Sequence, residues 1–372
     1  NSRPYFQFNS SEAAESIDAR VALAADSAIA TAGHSTSGAK ASGVIEGLGY
    51  VYEGEICDNK RHGKGKITYT NGNIYDGEWV NDEMHGHGKF IYANGDVYVG
   101  DFAHNLKEGY GKYTKANGDT YEGEWKRGLK HGLGKYLYHD NDSYEGHFSK
   151  GRKEGKGKYT FHNGDIYEGE FSKDLKQGFG KYTYPNGDIY EGYFFEGKRN
   201  GKGRFSTKNH SDMEGDFVND FVNGRAKVLY KDGSVFEGEF VNGVRQGPGR
   251  YENAPAGWVY EGPYINGKVN GKGKITYKDG SVFEGEFVNG IKEGRGKIIY
   301  VNGDIFIGLF SGDKKNGLGK LIKKGGYILK GNYKDDLKEG VHHKIYSARI
   351  VSHVHYSKDK EIQESFFPKM LR

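Results

Sequence analysis

The sequence predicts an all-β fold: an elongated, single-layer antiparallel meander of about 13 β-hairpin repeats, with a short helical N-terminal extension. Three observations predict it. Glycine supplies 60 of the 372 residues, more than twice its usual share of about 7%. Aromatics are dense, at 29 Tyr, 21 Phe and 3 Trp, while Pro numbers only 6, which argues against disorder and against a collagen-like chain. Above all, the phrase Tyr52-Glu53-Gly54-Glu55-Ile56 returns at Tyr75, Tyr98, Tyr121, Tyr144, Tyr167, Tyr190, Met213, Phe236, Tyr260, Phe283, Phe306 and Leu329. Every step is 23 residues except the 24 from Phe236 to Tyr260. A period of this kind marks a repeat architecture.

The elements follow in chain order. Residues 1–43 are rich in Ala and Ser, with Tyr5, Phe6 and Phe8 as their only aromatics. Ser11 can cap a helix running to about Thr31, with Gly33 ending it. Ile17, Val21, Ala24 and Ala28 share one narrow stripe of that helix, suited to covering the first edge of a sheet or docking on a partner. Residues 33–43 read as linker. The array then occupies residues 44–340, with a half unit ahead of Tyr52 whose turn glycine is Gly49.

Within a unit, let the first aromatic be offset zero. Glycine stands at +2 and +11 in all 13 units and at +13 in 11, the exceptions being Ala226 and His342. Offset +4 is aromatic in 12 units. Offsets 0, +2 and +4 alternate with polar +1 and +3, the period of a half-buried strand. Offsets +11, +13 and +17 share one face of a second strand. Glycine weakens a strand, so its recurrence calls for a reason. Rings at 0, +4 and +17 lying across backbone that carries no Cβ supply one. Parity requires an even loop between the two strands, expected as the four residues +7 to +10. At the junction between units, Asn71-Gly72, Asn94-Gly95, Asp232-Gly233 and Asn302-Gly303 mark a turn. A two-residue turn there would put the +17 ring and the next unit's first ring on opposite faces. A three-residue loop with a left-handed glycine keeps them together, and is the predicted hairpin.

One hairpin is not stable alone, but stacked units form a one-dimensional sheet. At about 4.8 Å per strand the array would extend roughly 125 Å, with an aromatic–glycine face and a charged face. Residues 341–372 read as a capping strand and tail. Tyr346, Ala348, Ile350, Val354 and Tyr356 form one apolar row there, with His353 and His355 opposite. The apolar end, Phe366-Phe367-Pro368, is expected to dock on the body.

The pattern resembles the MORN (membrane occupation and recognition nexus) repeat family, whose unit reads Tyr-x-Gly-x-Trp, then Gly-x-Gly, Tyr and Asn-Gly. Tyr75, Gly77, Trp79, Gly86 and Gly88, followed by Tyr92 and Asn94-Gly95, match it closely, as do Tyr121, Gly123, Trp125, Gly132 and Gly134. The likeness covers about residues 44–340. Departures lie at Met213, Ala226, Asn209-His210 and the longer junction around Pro255, Ala256 and Trp258. A protruding loop at that junction is a candidate contact site. Such a resemblance implies scaffolding more than chemistry, in ciliary or cortical cytoskeletal assemblies. It also admits kinase- or methyltransferase-linked arrays, but the flanks here are too short to hold either domain. The start at Asn1 leaves open a processed subunit of a mitochondrial or plastid complex.

Offset +14 is Lys or Arg in 12 of the 13 units, including Lys66, Lys89, Lys112, Lys135, Lys158 and Lys181. Two readings are open for this row. It could bind anionic lipid headgroups or an acidic partner. Alternatively, acidic residues at +1 and +3 could pair with it across strands as a solvated ladder, the stronger reading. Gly63-Lys64-Gly65-Lys66 is no phosphate loop, since no Gly-Lys-Ser/Thr leads into a helix. His62, His85 and His131 before the +11 glycine read as turn residues. His353 and His355 could start a zinc site, but no third ligand is near, so no metal and no cofactor is expected. Cys57 cannot form an internal disulfide. A net charge of +4, with acidic columns interleaved, is unlike a nucleic-acid binder. No run approaches 18 apolar residues, the length of a membrane-spanning helix. No catalytic constellation stands out. The expectation is a non-catalytic scaffold subunit of a larger assembly, holding other subunits along the aromatic face, at sheet edges or by end-to-end pairing of arrays. A peripheral phosphoinositide-binding module is the alternative.

Overall fold

The computed structural model describes residues 29–30, 41–346 and 349–366. These fall into two compact units: residues up to 186 with 194–197, and residues 187–193 with 198 onward. Both are built from antiparallel β-hairpins, and the described residues contain no helix.

The expected helix at residues 11–31 lies almost entirely outside the described residues. Its two described positions form strand β1 (Ile29–Ala30), pairing with β2 (Ala41–Gly47) through Ile29↔Glu46 and Ala30↔Ile45. Backbone pairing to an open sheet edge takes precedence there over helical propensity. Residues 41–43, read as linker, are already strand. β2 is the expected half unit: Gly43 faces Gly54 and Ile45 faces Tyr52 on β3 (Tyr50–Cys57).

β3 and β4 (Lys60–Tyr69) show the hairpin that every unit repeats. Glycine pairs with glycine (+2 with +13), and the first ring pairs with +15, as in Tyr52↔Ile67 and Tyr121↔Tyr136. The expected four-residue loop is replaced by two devices. A two-residue turn occupies +6 and +7, both residues left-handed, as at Asn81 (φ 48°) and Asp82 (φ 71°). That is the turn whose twist suits a hairpin. A bulge then inserts two residues before +13, and its +11 glycine is left-handed in all 13 units. Turn and bulge together preserve the even count that parity demands.

The junction loop is the predicted one. Tyr69 N–H donates to Asn73 C=O and Gly72 N–H to Tyr69 C=O, both at 2.9 Å, with Gly72 left-handed at φ 92°. A side chain at +21 then clasps the following unit. Asp142 accepts from the Tyr159 hydroxyl at 2.7 Å and from the His162 backbone N–H at 2.7 Å. Asp96 and Asp119 repeat both bonds.

At the C-terminus, the single capping strand expected is a further hairpin, Arg349–Ser357 with Lys360–Phe366. Lys358 (φ 49°) and Asp359 (φ 64°) make its turn. Ser352 sits 23 residues after Leu329, and Val354 and Tyr356 fill the glycine and ring positions, both buried. His353 faces His343, Nδ1 to Nδ1, at 2.8 Å.

The core of each unit is one continuous row of rings on the inner face. In the first, Tyr52, Trp79, Tyr75, Phe102, Tyr98, Trp125 and Tyr121 meet edge to face at centroid distances of 5.0–5.5 Å. In the second, Phe236, Tyr264, Tyr260, Phe287, Phe283, Phe310, Phe306 and Tyr333 continue the pattern, with His342 closing it against Tyr356. In this second row the first rings at 236, 260, 283 and 306 are linked in turn through the +4 rings Tyr264, Phe287 and Phe310. Edge-to-face geometry suits the ring quadrupole and adds about 1 kcal/mol per pair to the burial itself.

Candidate functional site

Which face can meet a partner follows from what covers each. The inner face is closed. Tyr75, Tyr98, Tyr144 and Tyr167 are fully buried, and Trp79, Tyr121 and Trp125 nearly so. Each first ring lies flat on the +13 glycine: a Cβ on Gly88 would stand 2.5 Å from Tyr75 Cε2, and one on Gly134 2.5 Å from Tyr121 Cε2. The tyrosine hydroxyls are used internally, Tyr75 and Tyr121 donating to the Glu78 and Glu124 carbonyls at 2.9 and 2.8 Å. Burial drives their pKa far above the usual value; for Tyr52 and Tyr260 it is pushed up to about 12.

Over the rings lies a row of cations at +9, which sequence reasoning missed. Lys107 Nζ is 4.3 Å from the Trp125 ring centre and 4.4 Å from that of Tyr113. Lys130, Lys153, Lys176, Arg245 and Lys338 repeat the contact. Their aliphatic stems cover apolar surface while the charge meets the ring faces. The column was legible, with Lys or Arg at +9 in 10 of 13 units. These cations close the aromatic face, so the expectation that partners lie along it is corrected.

The outer face is open. Its +14 cations Lys66, Lys89, Lys112, Lys135, Lys158 and Lys181 are all exposed. Carboxylates stand beside several of this row: Lys112 lies 3.9 Å from Glu122, Lys158 3.3 Å from Glu168 and Lys227 2.9 Å from Glu237. Lys135 is in register with both Glu122 and Glu145. A hydrogen bond from Lys227 holds the Glu237 carboxyl below the usual range. Outer +3 carboxylates cap the bulge, Glu124 accepting from Leu133 N–H at 3.0 Å and Glu55 from Lys64 N–H at 2.9 Å.

In the first unit this face forms an open groove of about 920 Å³. The backbone of Gly123, Gly134, Gly146, Gly157, Gly169 and Gly180 floors it. One wall holds Tyr110, Leu133, His147, Lys156, Glu170 and Phe179; the other holds Glu122, Lys135, Glu145, Lys158, Glu168 and Lys181. Tyr110, Leu133 and Phe179 are 56%, 55% and 48% exposed, high for large apolar side chains. Sequence reasoning missed them because +12 carries no repeating residue type. The groove thus brings together Lys135, Lys158 and Lys181 of the predicted row, with Gly123 and Gly134. Lys66, Lys89 and Lys112 lie outside it. Trp258 also lies outside: it is half-buried, packs on Tyr251 at 5.5 Å, and follows a loop closed by Gly257 N–H to Asn253 C=O at 2.8 Å. Tyr75, Gly77, Trp79, Gly86, Gly88, Tyr121, Trp125 and Gly132 serve the fold.

Among the described residues, Asp140, Asp142 and His162 place three ligand atoms within 4.8 Å of one another. Asp142 already accepts from the His162 ring at 2.8 Å and from Tyr159, so the cluster reads as part of the clasp. At the equivalent Asp119, burial would raise the carboxyl, but bonds from His139 and Tyr136 outweigh it and hold the group below its usual range. No helix of the described residues is long and apolar enough to cross a membrane.

A model of the MORN repeat matches twelve segments, residues 52–74, 75–97, 98–120, 121–143, 144–166, 167–189, 190–211, 214–235, 236–254, 260–282, 283–305 and 306–326. No curated protein matches. Similar solved structures include the TCP domain of Drosophila melanogaster SAS-4 in complex with a proline-rich motif of Ana2. It is 20% identical, with 41% of this chain and 83% of that one covered and a TM-score of 0.27. The TCP10 domain of Danio rerio CPAP is 13% identical over 59% and 93%, with a TM-score of 0.29. Virginiamycin B lyase of Staphylococcus aureus is 11% identical over 84% and 89%, with a TM-score of 0.13.

Proposed function

Because the chain belongs to the MORN repeat family, whose repeats are in general non-catalytic and mark interaction and scaffold proteins, we propose that it is a structural subunit of a larger protein assembly. One observation carries the proposal: the face rich in aromatics is closed by its own cations, while the opposite face presents exposed Tyr110, Leu133 and Phe179 in a groove. Exposed large apolar groups gathered in one concavity mark an interaction site. A ciliary or cortical cytoskeletal assembly is the proposed setting, with a mitochondrial or plastid complex as the alternative. Terminal strand Lys360–Phe366 pairs on one side among the described residues, and supports end-to-end or edge pairing of arrays as a further mode of assembly.

Peripheral phosphoinositide binding receives less support, since anionic headgroups would have to compete with carboxylates beside the +14 row. The test is gentle affinity purification of the tagged chain, followed by size-exclusion chromatography and mass spectrometry. The proposal expects elution far above 41.5 kDa with a fixed set of proteins. Elution as a monomer, with the remainder on membranes, would favour the lipid reading.

A further inference from the structure

The groove also has a period, and the period selects a type of ligand. Successive hairpins repeat every two strands, about 9.6 Å. Its apolar wall places Tyr110, Leu133, the Lys156 stem and Phe179 one hairpin apart in turn. A polyproline II helix turns once every three residues, about 9.3 Å. Side chains at every third residue of such a helix would therefore meet successive hairpins, drifting by only about 1 Å over three of them. An extended strand presents one side chain to a given face about every 6.7 Å and falls out of step after one hairpin. An α-helix is about 10–12 Å across. The two walls stand two residues apart along each strand, about 6.7 Å, which is too narrow for it.

Charge and backbone chemistry narrow the occupant further. The polar wall alternates three carboxylates with three ammonium groups, and on the other wall Glu170 stands opposite Lys156, so the groove offers no net field to a phosphate-rich ligand. Floor glycines are paired on both sides, Gly134 with Gly123 and Gly146, and Gly157 with Gly146 and Gly169, leaving no edge for an added strand. A polyproline II segment makes no ladder bonds. Its proline nitrogens bring no donors to satisfy, and its free carbonyls can accept from the exposed Lys135 and Lys158 ammonium groups. Aromatic-lined grooves with such walls suit this conformation.

We propose that the outer groove between Tyr110 and Phe179 binds a neutral, proline-rich polyproline II segment of about nine or ten residues, carrying an apolar side chain at every third position. The proposal rests on the scaffold reading and names the chemistry of one partner segment.

The probe is fluorescein-labelled (Pro-Pro-Leu)4, titrated into the full chain by fluorescence polarisation. A second peptide has the same composition with its leucines in adjacent pairs. Saturable binding is expected, about tenfold weaker for the permuted peptide and about tenfold weaker again for the Leu133→Glu/Phe179→Glu variant, a change of about 1.4 kcal/mol each. A thermal melt checks that the variant folds; should it not, the two peptides on the unaltered chain decide. The proposal is overturned by no saturation below about 1 mM, by equal affinity for both peptides, or by a folded double variant that binds as before. Displacement of the peptide by anionic vesicles would overturn it in favour of a lipid occupant. Failure of this test leaves the purification experiment standing, because that reads proteins held by any surface of the chain.

Discussion

At the scale of the residue, the repeated glycines answer to two different demands. Those at +11 supply a left-handed backbone in the bulge, as Gly86 does at φ 53°. Those at +2 and +13 make room for a ring. The chain contains its own control. Where +13 is not glycine, offset zero is not aromatic: Ala226 accompanies Met213, and His342 accompanies Leu329. We expect Gly88→Ala to cost about 2–3 kcal/mol by driving a Cβ into Tyr75. The added change Tyr75→Met should recover 1 kcal/mol or more of that in a double-mutant cycle read by urea unfolding. Gly86→Ala should cost about 1–2 kcal/mol and gain nothing from Tyr75→Met. Lys150 holds φ 50° at the first turn position without the side chain that favours it. Lys150→Asn should therefore raise stability by about 0.5–1 kcal/mol, measured the same way. The room-making role of +2 and +13 was legible from the columns alone. That of +11 was not, because a left-handed residue and a Cβ-free residue look alike in sequence.

Taken element by element, the hairpin is a short turn, a bulge and a clasp. The turn was legible but missed: its second position, +7, is Gly, Asn or Asp throughout the array, the residues that tolerate a left-handed backbone, even where no glycine marks it, as in His104-Asn105. The three-residue junction was legible because parity left one solution. The clasp was not: its Asp stands beside the Asn-Gly signal and is easily absorbed into it. Asp142→Ala removes the acceptor of Tyr159 and of the His162 amide. It should cost about 1–3 kcal/mol, with faster hydrogen exchange at the His162 amide as the local readout. Alkali tests the ring row. A buried tyrosine whose pKa is raised in the folded state stabilises fully below its unfolded value near 10, and that stability is lost as pH rises toward the folded value. Tyr52, at about 12, and the higher Tyr75, Tyr98, Tyr121, Tyr144 and Tyr167 all lie in the first unit. The second unit has Phe at 236, 283 and 306, and fewer such tyrosines, Tyr260, Tyr264, Tyr333 and Tyr356 among them. Thermal melts from pH 8 to 12, with absorbance at 295 nm, should show the first unit losing stability sooner above pH 10. Tyrosines titrating near 10 without loss of melting temperature would contradict the buried row.

For the whole molecule, the repeat explains the fold and hides the site. What recurs in every copy builds the core, the turns and the ion pairs. What differs between copies, Tyr110 and Leu133 beside Lys156, is where a partner can be told from solvent. The sequence could therefore show an array but not which part of it binds. One assembled face and one closed face make a prediction about lysines. Lys107, Lys130 and Lys153 on the inner face are 7%, 4% and 4% exposed, while Lys135, Lys158 and Lys181 on the outer face are open. The most direct test is lysine footprinting by isotopic acetylation and mass spectrometry, comparing the isolated chain with the chain in its native particle. The account predicts that the inner lysines resist labelling in both, and that the outer lysines label readily in the isolated chain and are protected in the particle. Outer lysines that label equally in both, or inner lysines that react in the isolated chain, would contradict it.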